Sequence, residues 1–191
     1  MSLPIKQQTD SDLYAQLSGE KSAAEAAFAE IYARYATRVF AYCRRFLGSY
    51  ERSQDAFQET FIKFYKTAYQ DRPMTNVVGF LFKIARNTCL NHQRINSREQ
   101  HPVQFAEEFH APSAAYSHEN QELLKLITMA LDLLPEQYRE VFVLREYDGL
   151  PYEEIAEITA TSLTNVKVRV FRAKQQIREI LAPYLEELSK F

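Results

Sequence analysis

The chain has no tryptophan, four glycines and two cysteines among 191 residues. So few glycines leave little for the tight turns and bulges of a β-fold, and no long stretch alternates apolar with polar residues. The expected fold class is therefore all-α. Cys43 and Cys89 show no pairing pattern, which excludes a disulfide scaffold; both are expected reduced, on helices at or near the core. No apolar run approaches the roughly 20 residues that span a bilayer. The first residues, Met1-Ser-Leu-Pro-Ile-Lys-Gln-Gln, lack the apolar centre of a signal peptide, so no membrane insertion is expected and the cytoplasm is the expected compartment. There is no Gly-rich phosphate loop, no Ser-His-Asp set with a recognisable nucleophile motif and no close carboxylate pair in a plausible cleft, so neither an enzyme nor a cofactor is expected. The four histidines, His92, His101, His110 and His118, recur at intervals of eight or nine residues. Those intervals fit no helical ligand pair, and no metal site is expected.

What is present is apolar periodicity and unevenly placed charge. Hydrophobic residues make up 46% of the chain, enough for a folded core, and the net charge is −2. Residues 10–96 read as one helical domain. Ser11-Asp12 is the expected cap of its start. Phe28, Ile31, Tyr32, Tyr35, Val39, Tyr42, Cys43 and Phe46 form a helical stripe that Gly48 ends. A helix from near Ser53 carries Ala56, Phe57, Phe61, Phe64 and Tyr65, and another from about Gly79 carries Leu81, Ile84, Ala85 and Leu90. Residues 97–118 show prolines and no apolar period, and read as a flexible linker. Residues 119–191 resume helical spacing at Leu123, Ile127, Ala130 and Leu134, and Pro183 is expected to break or kink the last helix.

The stretch from Leu134 to Ile177 has the layout of a helix-turn-helix. It runs Leu134-Pro-Glu-Gln-Tyr-Arg, then Gly149-Leu-Pro-Tyr-Glu-Glu-Ile-Ala, then Val166-Lys-Val-Arg-Val-Phe-Arg-Ala173-Lys. Val166, Val170, Ala173 and Ile177 form one stripe of the second helix, and Ile155, Ala156 and Ile158 of the helix before supply its partner surface. Pro151 stands at or before that helix, with Glu153, Glu154 and Glu157 suited to its positive end. Ser162 is the expected N-cap of the second helix. Ala160 falls in the turn, where either mild strain or a turn avoiding positive φ is expected. Opposite the apolar stripe lie Thr164, Asn165, Val168, Arg172 and Gln175, flanked by Lys167, Arg169 and Lys174. Between residues 160 and 180 five basic side chains face one acid, Glu179. Positive charge gathered on one helix of such a pair is the footprint of DNA binding in the major groove.

Charge divides elsewhere too. From Phe80 to Arg98 there are four basic residues and no acid, whereas 97–122 holds one basic residue against five acids. Two basic surfaces are thus hidden in a near-neutral chain, and near-neutrality argues against tight non-specific DNA binding by the chain alone. A partner that carries the chain to DNA is expected.

Ser53-Gln-Asp55-Ala-Phe-Gln58-Glu59-Thr60-Phe61, followed by Gly79-Phe80-Leu81-Phe82-Lys-Ile84-Ala85-Arg86-Asn87 and Arg94, resembles region 2 of the bacterial sigma factors. Leu134-Pro135 through Ala173 resembles their region 4. The two-part layout with a short linker is similar to the extracytoplasmic-function (ECF) group, and the resemblance covers nearly the whole chain in order. It implies a factor that binds core RNA polymerase and directs promoter-specific initiation, melting the minus-ten element and binding the minus-thirty-five element. It assigns polymerase docking to Asp55, Gln58, Glu59 and Phe61, and helical spacing adds Ile62 to the face of Asp55, Gln58 and Glu59. For the minus-ten element it points to Tyr65, Tyr69, Asn76 and Phe80 as base-holding groups, with Phe82 competing for core or surface, and to Lys83, Arg86, Asn87 and Arg94 for phosphates. For the minus-thirty-five element it points to Thr164, Asn165, Val168 and Arg172 at base edges and Lys167, Arg169 and Lys174 at phosphates. Phe171 falls either near DNA or under the tail.

The chain departs from the family pattern at several positions. Phe80 stands where Trp is usual, Ser53-Gln54 where Ala-Glu is frequent, Asn91 where Asp is frequent, and Val168 where a small polar residue is common. The resemblance also implies that the acidic linker threads toward the polymerase cleft and that an anti-sigma factor is a further partner. Two alternatives remain open on the residues alone: a ligand-sensing helix-turn-helix repressor or activator that binds its operator unaided, and a helical adaptor that binds only protein.

Overall fold

The computed structural model describes residues 4–68, 74–98 and 118–188, and among them every regular element is helical. They form two compact units, one within 1–106 and one within 107–191. The linker expected at 97–118 falls largely outside the described residues.

In the first unit a single 3-10 turn, Ile5–Gln7, leads to α1 (Asp10–Gln16), α2 (Lys21–Leu47), α3 (Tyr50–Ala68) and α4 (Val77–Arg98). Thr9, rather than the expected Ser11-Asp12, caps α1. Its hydroxyl accepts from the Asp12 N–H while the Asp12 carboxylate accepts from the Thr9 N–H, a reciprocal capping box. Arg34 of α2 fixes this segment by donating to the carbonyls of Gln8 and Lys6 and to the carboxylates of Asp10 and Glu30. Gly48, at φ 71°, ends α2 as the sequence suggests. α3 starts three residues before Ser53, and α4 starts at Val77 because the Asn76 side chain accepts the Gly79 N–H. Leu13, Ile31, Val39, Tyr42, Phe64, Leu81 and Phe82 are fully buried between the helices, each contributing roughly 1.5–3 kcal/mol by leaving water. Cys43 and Cys89 are buried, free thiols in the same core.

The second unit contains α5 (His118–Leu133), α6 (Glu136–Phe142), a π turn (Val143–Tyr147), α7 (Tyr152–Thr159) and α8 (Leu163–Leu188). Ala130, Leu131 and Leu134 meet Ala173, Ile177 and Leu181 in one apolar cluster. Val166 and Val170 are buried with Ile155 and Ile158 of α7, so the stripe read from the sequence is the one that packs. Two details differ from expectation or decide it. α8 continues through Pro183 without ending; Pro183 is exposed, and the missing N–H removes one ladder bond without burying an unmet group. Ala160 adopts φ 51°, ψ 45°, so of the two outcomes for the turn the left-handed one is realised. Ser162 caps α8 by accepting the Asn165 N–H at 3.2 Å.

A left-handed Ala stores strain that Gly would not. Ala160→Gly is expected to raise the stability of the C-terminal unit by about 0.5–1 kcal/mol, and Ala160→Val to lower it. Urea unfolding of the two variants beside the native chain checks both signs.

Candidate nucleic-acid interfaces

The basic face of α8 follows from how its stripe is buried. With Val166, Val170 and Ala173 held against α7 and α5, the side chains half a turn away stand in solvent. Thr164, Asn165, Lys167, Val168 and Arg172 are all exposed, while Arg169 and Lys174 are half-buried on the flanks. Arg172 is lightly held: its Nη1 donates to the Tyr138 hydroxyl at 3.3 Å. Lys174 is paired instead with Glu146, at 2.8 Å. Phe171, which the sequence leaves undecided, is 68% exposed and shares the outer face with Thr164, Val168 and Gln175. An apolar pair, Val168 and Phe171, therefore sits among cationic and polar groups, a mixture suited to thymine methyls beside base edges and phosphates.

One residue of this surface is not apparent from the sequence. Arg145, in the π turn, donates to the Leu150 carbonyl at 2.8 Å and lies 4.5 Å from the centre of the Tyr152 ring. Lys167 lies 6.0 Å from the same ring. The ring thus gathers two cations at the start of α7, each attracted by its negative face. The available signal is an Arg seven residues before Tyr152, outside the stretch of 160–180 in which positive charge is concentrated.

In the first unit the outer face of α4 carries Lys83, Asn87 and Arg94, all exposed, with Arg86 half-buried beside them. Their spacing by four and seven residues places them on one side of the helix. Phe82 is core, under the guanidinium of Arg38, while Phe80 is half-buried with its ring against Tyr14 and Phe64. Phe80 thus presents one edge at most. Asn76 spends its amide oxygen on the cap of α4. Tyr65, expected beside these groups, is not brought to them. It turns toward α2, 5.3 Å from the Phe28 ring, because it leaves α3 on the side that faces α2. Tyr69 lies outside the described residues.

α3, the helix expected to dock on polymerase, separates the residues assigned to it. Asp55, Gln58 and Ile62 are exposed, the last unusually so for an isoleucine. Phe61 is buried against Phe28, Tyr32 and Phe57. It differs from Asp55, Gln58 and Ile62 in being buried, but it lines the same groove as Gln58 and Ile62 from its inner wall. Between α2 and α3 runs an apolar groove of about 530 Å³, walled by Phe28, Tyr32, Phe57, Ile62 and Tyr65. Glu59 is engaged at both oxygens, 2.6 Å from Lys63 Nζ and 2.9 Å from His92 Nε2. The Lys63 hydrogen bond holds its carboxyl below the usual glutamate range against a smaller opposing effect of burial, with His92 adding to the lowering.

Among the described residues no helix is long and apolar enough to cross a membrane. Residues 31–99 match the Sigma-70 region 2 family and residues 124–177 match Sigma-70 region 4. The chain is 30% identical over 172 residues to the RNA polymerase sigma-H factor of Pseudomonas aeruginosa, covering 84% of this chain and 89% of that one. It is 31% identical over 171 residues to the ECF RNA polymerase sigma-E factor of Escherichia coli, covering 83% and 88%. Among solved structures, its fold is similar to the sigma factor RpoE in complex with the anti-sigma factor NepR from Bartonella quintana. That match has a TM-score of 0.71 at 22% identity and covers 81% of this chain and 96% of that one. It is also similar to CnrH in complex with the cytosolic domain of CnrY, with a TM-score of 0.68 at 22% identity and coverage of 91% and 97%.

The lowered carboxyl of Glu59 fixes the sign of a pH effect. A group whose folded pKa is depressed adds stability that is full above its unfolded pKa and is lost as pH falls through the folded one. The stability difference between the native chain and Glu59→Gln is expected to be constant above about pH 5 and to close on further acidification. Unfolding midpoints measured from pH 6 to pH 3 check this; a difference that stayed flat to the acid end would contradict it.

Proposed function

The chain belongs to the ECF group of RNA polymerase sigma factors, which are non-catalytic transcription initiation factors, and from that premise we propose how its surfaces divide the work on a promoter. The domain of residues 10–96 docks on core polymerase through Asp55, Gln58 and Ile62, the exposed face of α3. The same domain holds the minus-ten element on α4, with Lys83, Arg86, Asn87 and Arg94 near phosphates and the exposed edge of Phe80 near an unstacked base. Phe supplies a smaller stacking surface than Trp and no N–H donor, so base capture here leans on electrostatics more than on stacking.

The domain of residues 119–191 reads the minus-thirty-five element with α8 in the major groove. Arg172 grips a guanine edge through two donors, a contact worth roughly 1–3 kcal/mol of discrimination. Thr164 and Asn165 at the start of the helix supply polar contacts, and Val168 with Phe171 supplies apolar ones. Lys167, Arg169 and Arg145 approach phosphates; Lys174 does so only if Glu146 releases it. The observation that carries this reading is the partition of α8, whose buried stripe leaves the polar and basic positions named from the sequence facing outward. A protein-only adaptor has no use for that partition.

The chain's near-neutral charge supports the view that DNA binding waits for polymerase. An anti-sigma protein is the expected third partner, since the sigma factor RpoE of similar fold is in complex with the anti-sigma factor NepR. Acidic residues 97–118 join the two domains and suit a basic channel built for nucleic acid.

Run-off transcription with purified core enzyme on a promoter library tests the whole reading. Native chain is expected to initiate at a defined subset of promoters and to bind the same DNA weakly when polymerase is absent. Arg172→Ala is expected to flatten preference at one minus-thirty-five position by about 1–3 kcal/mol. Lys167→Ala is expected to weaken binding across all sequences and to reduce the slope of log affinity against log salt by about one. Asp55→Ala is expected to weaken core binding with promoter preference unchanged. A native chain that gripped a single operator as tightly without polymerase would instead support a conventional repressor.

A further inference from the structure

Glu59 and Lys63 are one turn apart on α3, and Thr88 and His92 are one turn apart on α4. Two bonds within hydrogen-bonding distance cross between the helices: Lys63 Nζ to Thr88 Oγ1 at 3.3 Å, and Glu59 Oε2 to His92 Nε2 at 2.9 Å. A third, Glu59 Oε1 to Lys63 Nζ at 2.6 Å, closes the set on α3. The four side chains make a polar clasp at the edge of a seam that is otherwise built from Ala56, Phe64, Leu81, Ala85 and Cys89. Thr88 is fully buried, and Glu59 retains partial contact with solvent.

Apolar surface is non-directional and tolerates sliding along a helix axis. Hydrogen bonds do not, because they fail within a few tenths of an ångström and a few tens of degrees. A slip of one helical turn, about 5.4 Å, would separate both cross-helix pairs at once. Polar groups placed in an apolar helix seam serve this registering purpose elsewhere. Here the two helices being registered carry different surfaces: Asp55, Gln58 and Ile62 on the outer side of α3, and Lys83, Asn87 and Arg94 on the outer side of α4.

We propose that the Thr88–Lys63–Glu59–His92 clasp sets the axial position of the promoter-binding helix against the polymerase-docking helix, with Glu59 and His92 acting as positioning residues for promoter opening and not as contacts to polymerase. The inference rests on the assignment of α3 to polymerase and of α4 to the minus-ten element. An incoming basic side chain would have to compete with Lys63 and His92 for the Glu59 carboxylate, whereas the exposed Asp55 on the same face makes the direct contact. Loosening the clasp leaves the outer face of α3 intact, so docking survives. It lets α4 shift beneath the DNA, so opening suffers.

The full chain with core polymerase supplies the test, through two measurements: equilibrium affinity for core, and the rate of open-complex formation at saturating factor. His92→Ala is expected to slow opening about fivefold, the upper end for a partly exposed pair, with core affinity within about twofold of native. His92→Gln keeps a side-chain donor and is expected to recover most of that loss, which a simple packing defect would not allow. The double variant Glu59→Gln/His92→Ala is expected to be no slower than the slower single variant, because both act on one contact. If His92→Ala does not fold, Glu59→Gln alone decides: slower opening with native core affinity supports the clasp. Core affinity falling as far as in Asp55→Ala would overturn it, as would unchanged opening or multiplicative losses. Should the native chain itself neither bind core nor initiate, the assignment beneath the clasp fails with it, and that result is visible before any variant is made.

Discussion

Every helix here must bury one stripe and leave another in water, and the whole molecule depends on which side is which. On α8 the buried side is set by Val166, Val170, Ala173 and Ile177 meeting α7 and α5. Because a helix repeats every 3.6 residues, that choice leaves no freedom about where Asn165, Val168 and Arg172 point. The cationic face is a by-product of core formation, held in place by hydrophobic energy that greatly exceeds what the surface charges themselves contribute. The same logic on α4 buries Leu81, Phe82, Ala85 and Cys89 and turns Lys83, Asn87 and Arg94 outward. Two small cores therefore present two basic faces in a chain of nearly balanced charge.

The helical class and the helix-turn-helix are legible in the residues because apolar period is a strong signal over long segments, and α2, α3, α4 and α8 are all long. The buried stripe of α8, the Gly48 terminus and the Ser162 cap all follow from local chemistry that the residues display. The face of α3 assigned to polymerase is only partly legible. Asp55, Gln58 and Ile62 share an exposed face as spacing requires, but Phe61 enters the expected set from a motif and not from the period, and the period places it in the core. Tyr65 is misplaced for a related reason: a sequence gives the angle of a side chain about its own helix, but not which neighbouring helix lies at that angle. Arg145 escapes notice because a cation 22 residues from Lys167 meets it only through the Tyr152 ring. The left-handed Ala160 stays undecided on the residues alone, since propensity disfavours it and only tertiary contact between α7 and α8 outweighs that cost.

The seam between α2 and α3 is built from aromatic rings of modest size. Phe28, Tyr32, Phe40, Phe57, Phe61 and Tyr65 meet largely edge to face, with ring centres about 5–6 Å apart. Each such ring pair is worth about 0.5–1.5 kcal/mol beyond its burial, so the seam is held by many contacts rather than by one large side chain. The seam is not sealed, and the groove that remains adjoins Gln58 and Ile62 of α3.

The π turn at Val143–Tyr147 has a bearing on how this family of shapes can diverge. Such a turn holds one residue more than an α-helical ladder requires. Deleting a single residue there would let the segment relax into ordinary helix without unravelling its ends, while swinging α6 by about 100° relative to α7 and α8. Arg145 would leave the Tyr152 ring, and Glu146 would leave Lys174. A change of one codon's length would thus redistribute positive charge beside the basic face of α8, at a cost in packing, because α6 buries Val141 and sets Tyr138 and Phe142 on the cluster it shares with α8.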